Sequence, residues 1–332
     1  MANLREVARR SGVSVATASR VANGALAVRP ETRERVERAM RELLYVPPGR
    51  RAATGLIGVL VPELANPIFP ALAQAIETRA APRGLASILC NTQEAAFREI
   101  DYVHMLLDRR VEGMIFISSE MANLRGDHSH YAKLAAEGAK IVFVNGALPS
   151  LDIPAVGVDE HAAGELATQH LIDLGHKRIG FAAGPEHYLP TQLKNAGRLA
   201  ALQAADLDSL DLVAHGHFAV EGGRSALRQL LARDDPPTGV ICSSDLMAIG
   251  VLLEARQQGL RVPDDLSIVG FDGIDATTWS LPPLTTVEQP IEQIAETAIE
   301  ALQTLIREPE RTLPNFQFRP RLLVRASTAP PR

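Results

Sequence analysis

The chain has 332 residues, 46% of them apolar, and a net charge of −5. That is enough for two or three domains with packed cores, and no run of ~18 apolar residues could span a membrane. The start, MANLREVARR, lacks a signal-like apolar stretch, and Cys90 and Cys242 sit inside apolar runs, so a cytoplasmic location with buried thiols is expected. The charge is uneven. Residues 1–51 carry eleven Arg and five Glu, a net +6, which leaves −11 on the rest. A small basic head on an acidic body suggests a polyanionic partner, although a solvated charged face would look the same.

Residues 3–44 read as three short helices. LREVARR forms the first, with Asn3 as N-cap, and Ser11-Gly12-Val13 turns the chain. Ser14 opens the second, which runs to about Asn23. Pro30-Glu31 opens the third, which Tyr45-Val46-Pro47-Pro48-Gly49 stops. From Leu56, β-rich runs alternate with amphipathic helices: LIGVLVP, ASILCN, GMIFIS and KIVFVN, then AVGVD, KRIGFAAG, GVICSSD and SIVGFDG. Two successive Rossmann-like sets predict a two-lobed α/β core. The tail adds LTTVEQP, a helix over 291–307, and strands near FQF and RLLVR that could cross back between lobes.

The second helix has the composition of a major-groove reader. Ser14 caps it, and its free amides can face a phosphate. Val15 and Ala16 are short enough to touch thymine methyls, Thr17 and Ser19 can bond phosphates or bases, and Arg20 can fork onto a guanine. Val13, Ala18 and Val21 would pack inward. On this pattern alone, an ordinary helical hairpin with an exposed Arg stays open.

LREVARRSGVSVATASRVANG, VRPETRERVERAMRELLYVP, ELANPIFPAL, GVDEHAAGELATQHLIDLGHKRIGFAAGP, SSDLMAIGVLLEARQQGLRVPDDLSIVGFDGID, PPLTTVEQP and RLLVRAST follow in order along the chain. Together they resemble the LacI/GalR family of bacterial transcription regulators. The resemblance implies an all-α helix-turn-helix headpiece (1–46), a hinge linker (47–55) and a core (56–332) like the type I periplasmic binding proteins. The lobes are expected at about 56–155 with 287–313, and 156–283 with 314–326. It implies a homodimer that represses from a palindromic double-stranded operator and is switched by a small-molecule effector; with no G-x-S-x-G elbow, P-loop or H-E-x-x-H motif, neither an enzyme nor a cofactor is expected. Val15, Ala16 and Arg20 match base-reading positions, while Ser14, Thr17, Ser19, Asn23 and Thr32 match phosphate-contacting ones.

The chain departs from the family in two places. Its linker, PPGRRAATG, is shorter than the family's, has Pro48 where Asn is usual, and has no leucine to wedge the minor groove. Arg50 and Arg51 could still meet phosphates or a narrow minor groove. In the cleft, Lys194 stands for the family's Arg and Ser244-Asp245 for its Asn-Asp. Asp272 and Phe69 match effector-binding positions, and Asn145 and Trp279 are added candidates. An aromatic plate with carboxylates suits a sugar, expected to act as an inducer that releases the operator, although corepression is equally compatible with the sequence. Three alternatives remain. Phe69 and Trp279 could be core and Asp245 a mere N-cap. The effector could be a nucleobase, phosphosugar or sugar acid. The short hinge could impair operator binding. Two HxH pairs, His128/His130 and His215/His217, lack the further ligands of a zinc site, so no metal is expected.

Overall fold

The computed structural model describes residues 3–22, 28–43, 45, 55–93, 96–207 and 212–332. The chain forms two compact units, Met1–Thr54 and Gly55–Arg332.

In the first unit, α1 (Leu4–Ser11), α2 (Val15–Ala22) and α3 (Pro30–Glu42) are set by their ends. Asn3 and Glu6 form a reciprocal capping box: the Glu6 N–H donates to Asn3 Oδ1 at 3.1 Å, and the Asn3 N–H to Glu6 Oε2 at 3.0 Å. Gly12 ends α1 at φ +67°, where a side chain would be strained. Ser14 Oγ then accepts the Thr17 N–H at 3.1 Å and starts α2. Proline opens α3, where its missing N–H costs nothing. Val7, Ala8, Ala18, Val21, Val36 and Ala39 form the small core between the three helices.

The second unit holds two six-stranded sheets. The first has the order β11-β5-β4-β3-β1-β2, built from β1 (Leu56–Val61), β2 (Ala86–Asn91), β3 (Gly113–Ile117), β4 (Ile141–Val144), β5 (Ala155–Val158) and β11 (Phe316–Phe318). Every pairing in it is parallel. Its helices are α4 (Ile68–Ala80), α5 (Ala96–Asp108), α6 (Ser129–Ala136) and α12 (Ile291–Arg307). The second has the order β12-β10-β9-β8-β6-β7, from β6 (Ile179–Ala183), β7 (Val213–His215), β8 (Gly239–Cys242), β9 (Ser267–Asp272), β10 (Thr285–Glu288) and β12 (Arg321–Leu323). Only β12 runs antiparallel, against β10. Its helices are α7 (Glu160–Asp173), α8 (Leu189–Ala204), α9 (Val220–Leu231), α10 (Asp245–Gln257) and α11 (Ala276–Trp279). The inner strands are buried almost throughout, as both faces of a helix-covered sheet require, while the edge strands β2, β7, β11 and β12 are partly exposed.

The lobe boundaries differ from those expected. Residues 156–158 and 316–318, assigned above to the second lobe, belong to the first, because β5 pairs with β4 and β11. β10 belongs to the second lobe, because Thr285–Glu288 pair with Val269–Asp272. The chain therefore crosses between lobes at 158–160, 288–291 and 318–321. Two crossings fall at helix starts, where Asp159 caps α7 and Pro290 precedes α12.

Candidate functional site

On the headpiece, α2 turns two faces in different directions. Ala18, Val21 and Ala22 are buried, and Val13 is half-buried behind them. Ser14, Val15, Ala16 and Arg20 are exposed, while Thr17 and Ser19 are half-buried. Val15 keeps 45% of its surface in solvent. Thr32, on α3, is half-buried. Asn23, Arg50, Arg51 and the linker up to Thr54 lie outside the described residues.

In the core, a cavity of about 850 Å³, counting its open mouth, lies between the lobes. It sits at the carboxyl ends of the strands, where open α/β sheets bind ligands. Phe69, Asn145, Lys194, Ser244 and Asp272 line it. Three lining residues without the freedom of glycine have positive φ: Ser118 (+43°), Asn145 (+54°) and Asp272 (+127°). Backbone strain of this kind concentrates at functional sites.

Two polar constellations stand out. Gln289, at the second crossing, donates from Nε2 to Asp272 Oδ1 at 2.8 Å. Its Oε1 accepts from Asn145 Nδ2 at 2.8 Å, so a three-residue chain joins the two lobes. Burial, then the neighbouring Asp245, pushes the Asp272 carboxyl well above the ordinary range. In the second constellation, Lys194 Nζ lies 2.5 Å from Glu160 Oε2 and 3.7 Å from the centroid of the Phe271 ring. Burial pushes the Glu160 carboxyl up, against the pull of Lys194. The pair meets because α7 and α8 pack backbone to backbone. A β-carbon on Gly164 would collide with the Lys194 carbonyl, and one on Gly197 with that of His161.

Two expected cleft residues are elsewhere. Asp245 is wholly buried beneath the cavity floor and does not line it. Its Oδ2 accepts the Gly273 and Ile274 N–H groups at 2.7 and 2.9 Å, and its Oδ1 the Thr286 hydroxyl at 2.6 Å. Nor is it the cap of α10. That role falls to Ser244, whose Oγ accepts the Met247 N–H at 3.3 Å. Trp279 is 78% exposed at the end of α11, away from the cavity lining. The first HxH pair is engaged by neighbours: His128 Nε2 meets the Glu120 carbonyl at 3.0 Å, and His130 Nε2 meets Glu99 at 2.9 Å. Among the described residues, no three His, Cys, Asp or Glu gather to hold a metal, and no helix is long and apolar enough to cross a membrane.

The sequence reading missed Glu63, Glu99, Ser118, Glu120, Glu160, Tyr188, Phe218 and Gln289, all of which line the cavity. Ser118 and Glu160 carried a usable signal, since each closely follows a strand's carboxyl end. Glu99 lies inside α5, and nothing local marks it.

Residues 3–48 match the sequence model of bacterial regulatory proteins of the lacI family, and residues 168–328 that of a periplasmic binding protein-like domain. The chain is 39% identical to the HTH-type transcriptional regulator MalR of Streptomyces coelicolor, over 98% of this chain and 96% of that one. It belongs to the LacI family of DNA-binding transcriptional regulators. An HTH-type transcriptional regulator from the aml 5′ region of Streptomyces limosus is 42% identical over 98% of this chain and 94% of that one. Among solved structures, the lac repressor dimer bound to operator and the anti-inducer ONPF superposes with a TM-score of 0.81, 28% identity and 99% coverage of both chains. The transcriptional regulator CelR in complex with cellobiose gives 0.76 and 30%, covering 98% of this chain and all of that one. This LacI-family chain is thus a regulator rather than an enzyme, with the family's helix-turn-helix unit and two-lobed core.

Proposed function

We propose that the chain is a repressor that binds a palindromic operator as a dimer and is released by an uncharged sugar in the interlobe cleft. The polar lining of the cleft carries the effector part. Among the described lining residues are five carboxyl groups, on Glu63, Glu99, Glu120, Glu160 and Asp272, against one ammonium, Lys194, already paired with Glu160. For a phosphosugar or sugar acid, only that one paired cation is offered by this lining. A neutral polyol instead donates its hydroxyls to the carboxyl groups, with Phe69 offering a ring face. The cellobiose complex of CelR supports the same class.

On the DNA side, Val15 and Ala16 touch base edges, and Arg20 carries most of the direct readout. Ser14, Thr17, Ser19, Asn23 and Thr32 hold phosphates, with Arg50 and Arg51 on phosphates or in the minor groove. A second copy of the chain supplies the other half-site. Trp279 and Leu281, 78% and 82% exposed, are large apolar side chains on the core that such a partner would cover, and the lac repressor complex that the chain resembles is a dimer.

The test is anisotropy binding of the full chain to a pool of ~20-base-pair palindromes at two salt concentrations, followed by selection and sequencing. A sequence-specific winner supports the repressor; sequence-blind binding abolished by salt rejects it. On the selected operator, Arg20→Ala should weaken binding by about 1–3 kcal/mol and relax one base position per half-site. An unchanged base preference in that variant would remove Arg20 from the readout. Neutral sugars should displace the operator where their phosphates and acids do not.

A further inference from the structure

The mouth of the cleft is bridged at a place remote in sequence from the three chain crossings. The Leu124 N–H, in the loop after β3 of the first lobe, donates to the His187 carbonyl of the second at 2.8 Å. Beside it, Asn123 and Tyr188 form an isolated antiparallel bridge. Both contacts run through backbone, so they demand the loop's position rather than any one side chain.

That position is held from one buried group. Glu99, on α5, accepts a short hydrogen bond from the Tyr131 hydroxyl and meets His130 Nε2 at 2.9 Å. The Tyr131 hydroxyl in turn accepts the Met121 N–H at 3.2 Å. One residue along, Glu120 Oε1 accepts from Asn123 Nδ2 at 2.9 Å, and the Glu120 carbonyl meets His128 Nε2 at 3.0 Å. An unbroken chain of contacts thus runs from Glu99 to the bridge. Ser118 and Glu120 on one side and Tyr188 on the other also line the cavity.

We infer that residues 118–124 and 187–188 form a clasp across the cleft mouth, and that Glu99 is its positioning residue, acting through Tyr131 and His130. A ligand in the cavity meets both halves of the clasp, so occupancy and closure are coupled by whatever difference in contact the open and closed forms offer. This coupling rests on the cleft being the effector site. The clasp itself does not.

The experiment is amide hydrogen exchange on the full, ligand-free chain, comparing wild type with Tyr131→Phe. The phenylalanine ring keeps its packing against Phe116 and Phe143, whose centroids lie 5.2 and 5.0 Å from that of Tyr131. It leaves the Met121 N–H without its acceptor and Glu99 without one donor. Leu124 should be protected in wild type and exchange at least about ten-fold faster in the variant. The amides of β3 and β6 should keep their wild-type rates. A Leu124 amide that exchanges freely in wild type, or is unmoved by the substitution, overturns the clasp. Equal acceleration across β3 overturns it too, because Tyr131 would then support the whole lobe. Should Tyr131→Phe unfold the chain, Glu99→Gln, of nearly equal volume, is judged by the same rates. If no sugar displaces the operator while Leu124 behaves as expected, the effector reading fails and the clasp stands.

Discussion

Replacing Lys194 with methionine should cost the core about 3–5 kcal/mol at pH 8, because it strands the buried Glu160 carboxylate. The two side chains are 5% and 10% exposed, so water cannot replace the ammonium cheaply. The loss has a definite pH dependence. The Glu160 carboxyl is already raised by burial and held down by Lys194. Without the lysine it rises further, and the folded state then binds a proton that the unfolded state releases. Stability therefore falls as pH climbs through that interval, and the variant's deficit is larger at pH 8 than at pH 5. Urea midpoints of the core transition at the two pH values measure it. Adding Glu160→Met should restore most of the loss, since a well-packed apolar pair replaces a buried ion pair at little cost. An equal deficit at both pH values, or a double variant no better than the single, would mean that packing rather than charge is at stake.

The second large effect is expected at Asp245. Truncation to alanine leaves the Gly273 and Ile274 N–H groups and the Thr286 hydroxyl without an acceptor in a buried place. At roughly 1–3 kcal/mol for each stranded group, partly relieved by relaxation, the cost should be about 3–5 kcal/mol. The acid range offers a separate check. Burial pushes the Asp245 carboxyl up to about 6, from an ordinary 3.8. A raised carboxyl takes up a proton on folding, so its contribution is full below the ordinary value and is lost as pH rises through about 6. Burial, and then the nearby Asp245, raise Asp272 beside it well above its ordinary range too. Asp245→Asn should flatten the fall in stability between pH 4 and pH 6 relative to wild type. A pH profile parallel to wild type would show that Asp245 is ionised throughout.

Much of this was legible from local pattern, and the misses have physical reasons. Asn3, Gly12, Ser14 and Pro30 act within a few residues of themselves, so the headpiece's element boundaries could be read directly. Most strands of the core were equally plain, because a parallel sheet covered on both faces leaves unbroken apolar runs, but the three-residue edge strand β7 (Val213–His215) was not among those expected. What sequence could not give is which sheet a short strand joins. AVGVD and FQF are far apart in the chain, and only their pairing, Phe316 with Val156, assigns both to the first lobe. The cleft was half legible for a similar reason. Phe69, Asn145, Lys194 and Asp272 follow from motif and strand-end position, but Glu99 is set by long-range packing. Asp245 misled because an acidic residue at a helix start near a cleft suits a cap, a ligand contact or a buried brace equally well. Its three donors, from two other segments, decide among them.

The tail's path bears on how the protein is made. β11 adds the edge strand to the first sheet and β12 the edge to the second. Asn315 caps the edge of the first by accepting the Ala155 N–H, and Ser327 ties β9 to the start of β10. Neither lobe can therefore complete its sheet on the ribosome until residues 315–328 have emerged. Domains of separate sequence can finish one after the other during synthesis. Here both lobes wait on the same stretch, so they should acquire native protection together once it has emerged, and a messenger cut short before Asn315 should yield two unfinished sheets rather than one good lobe.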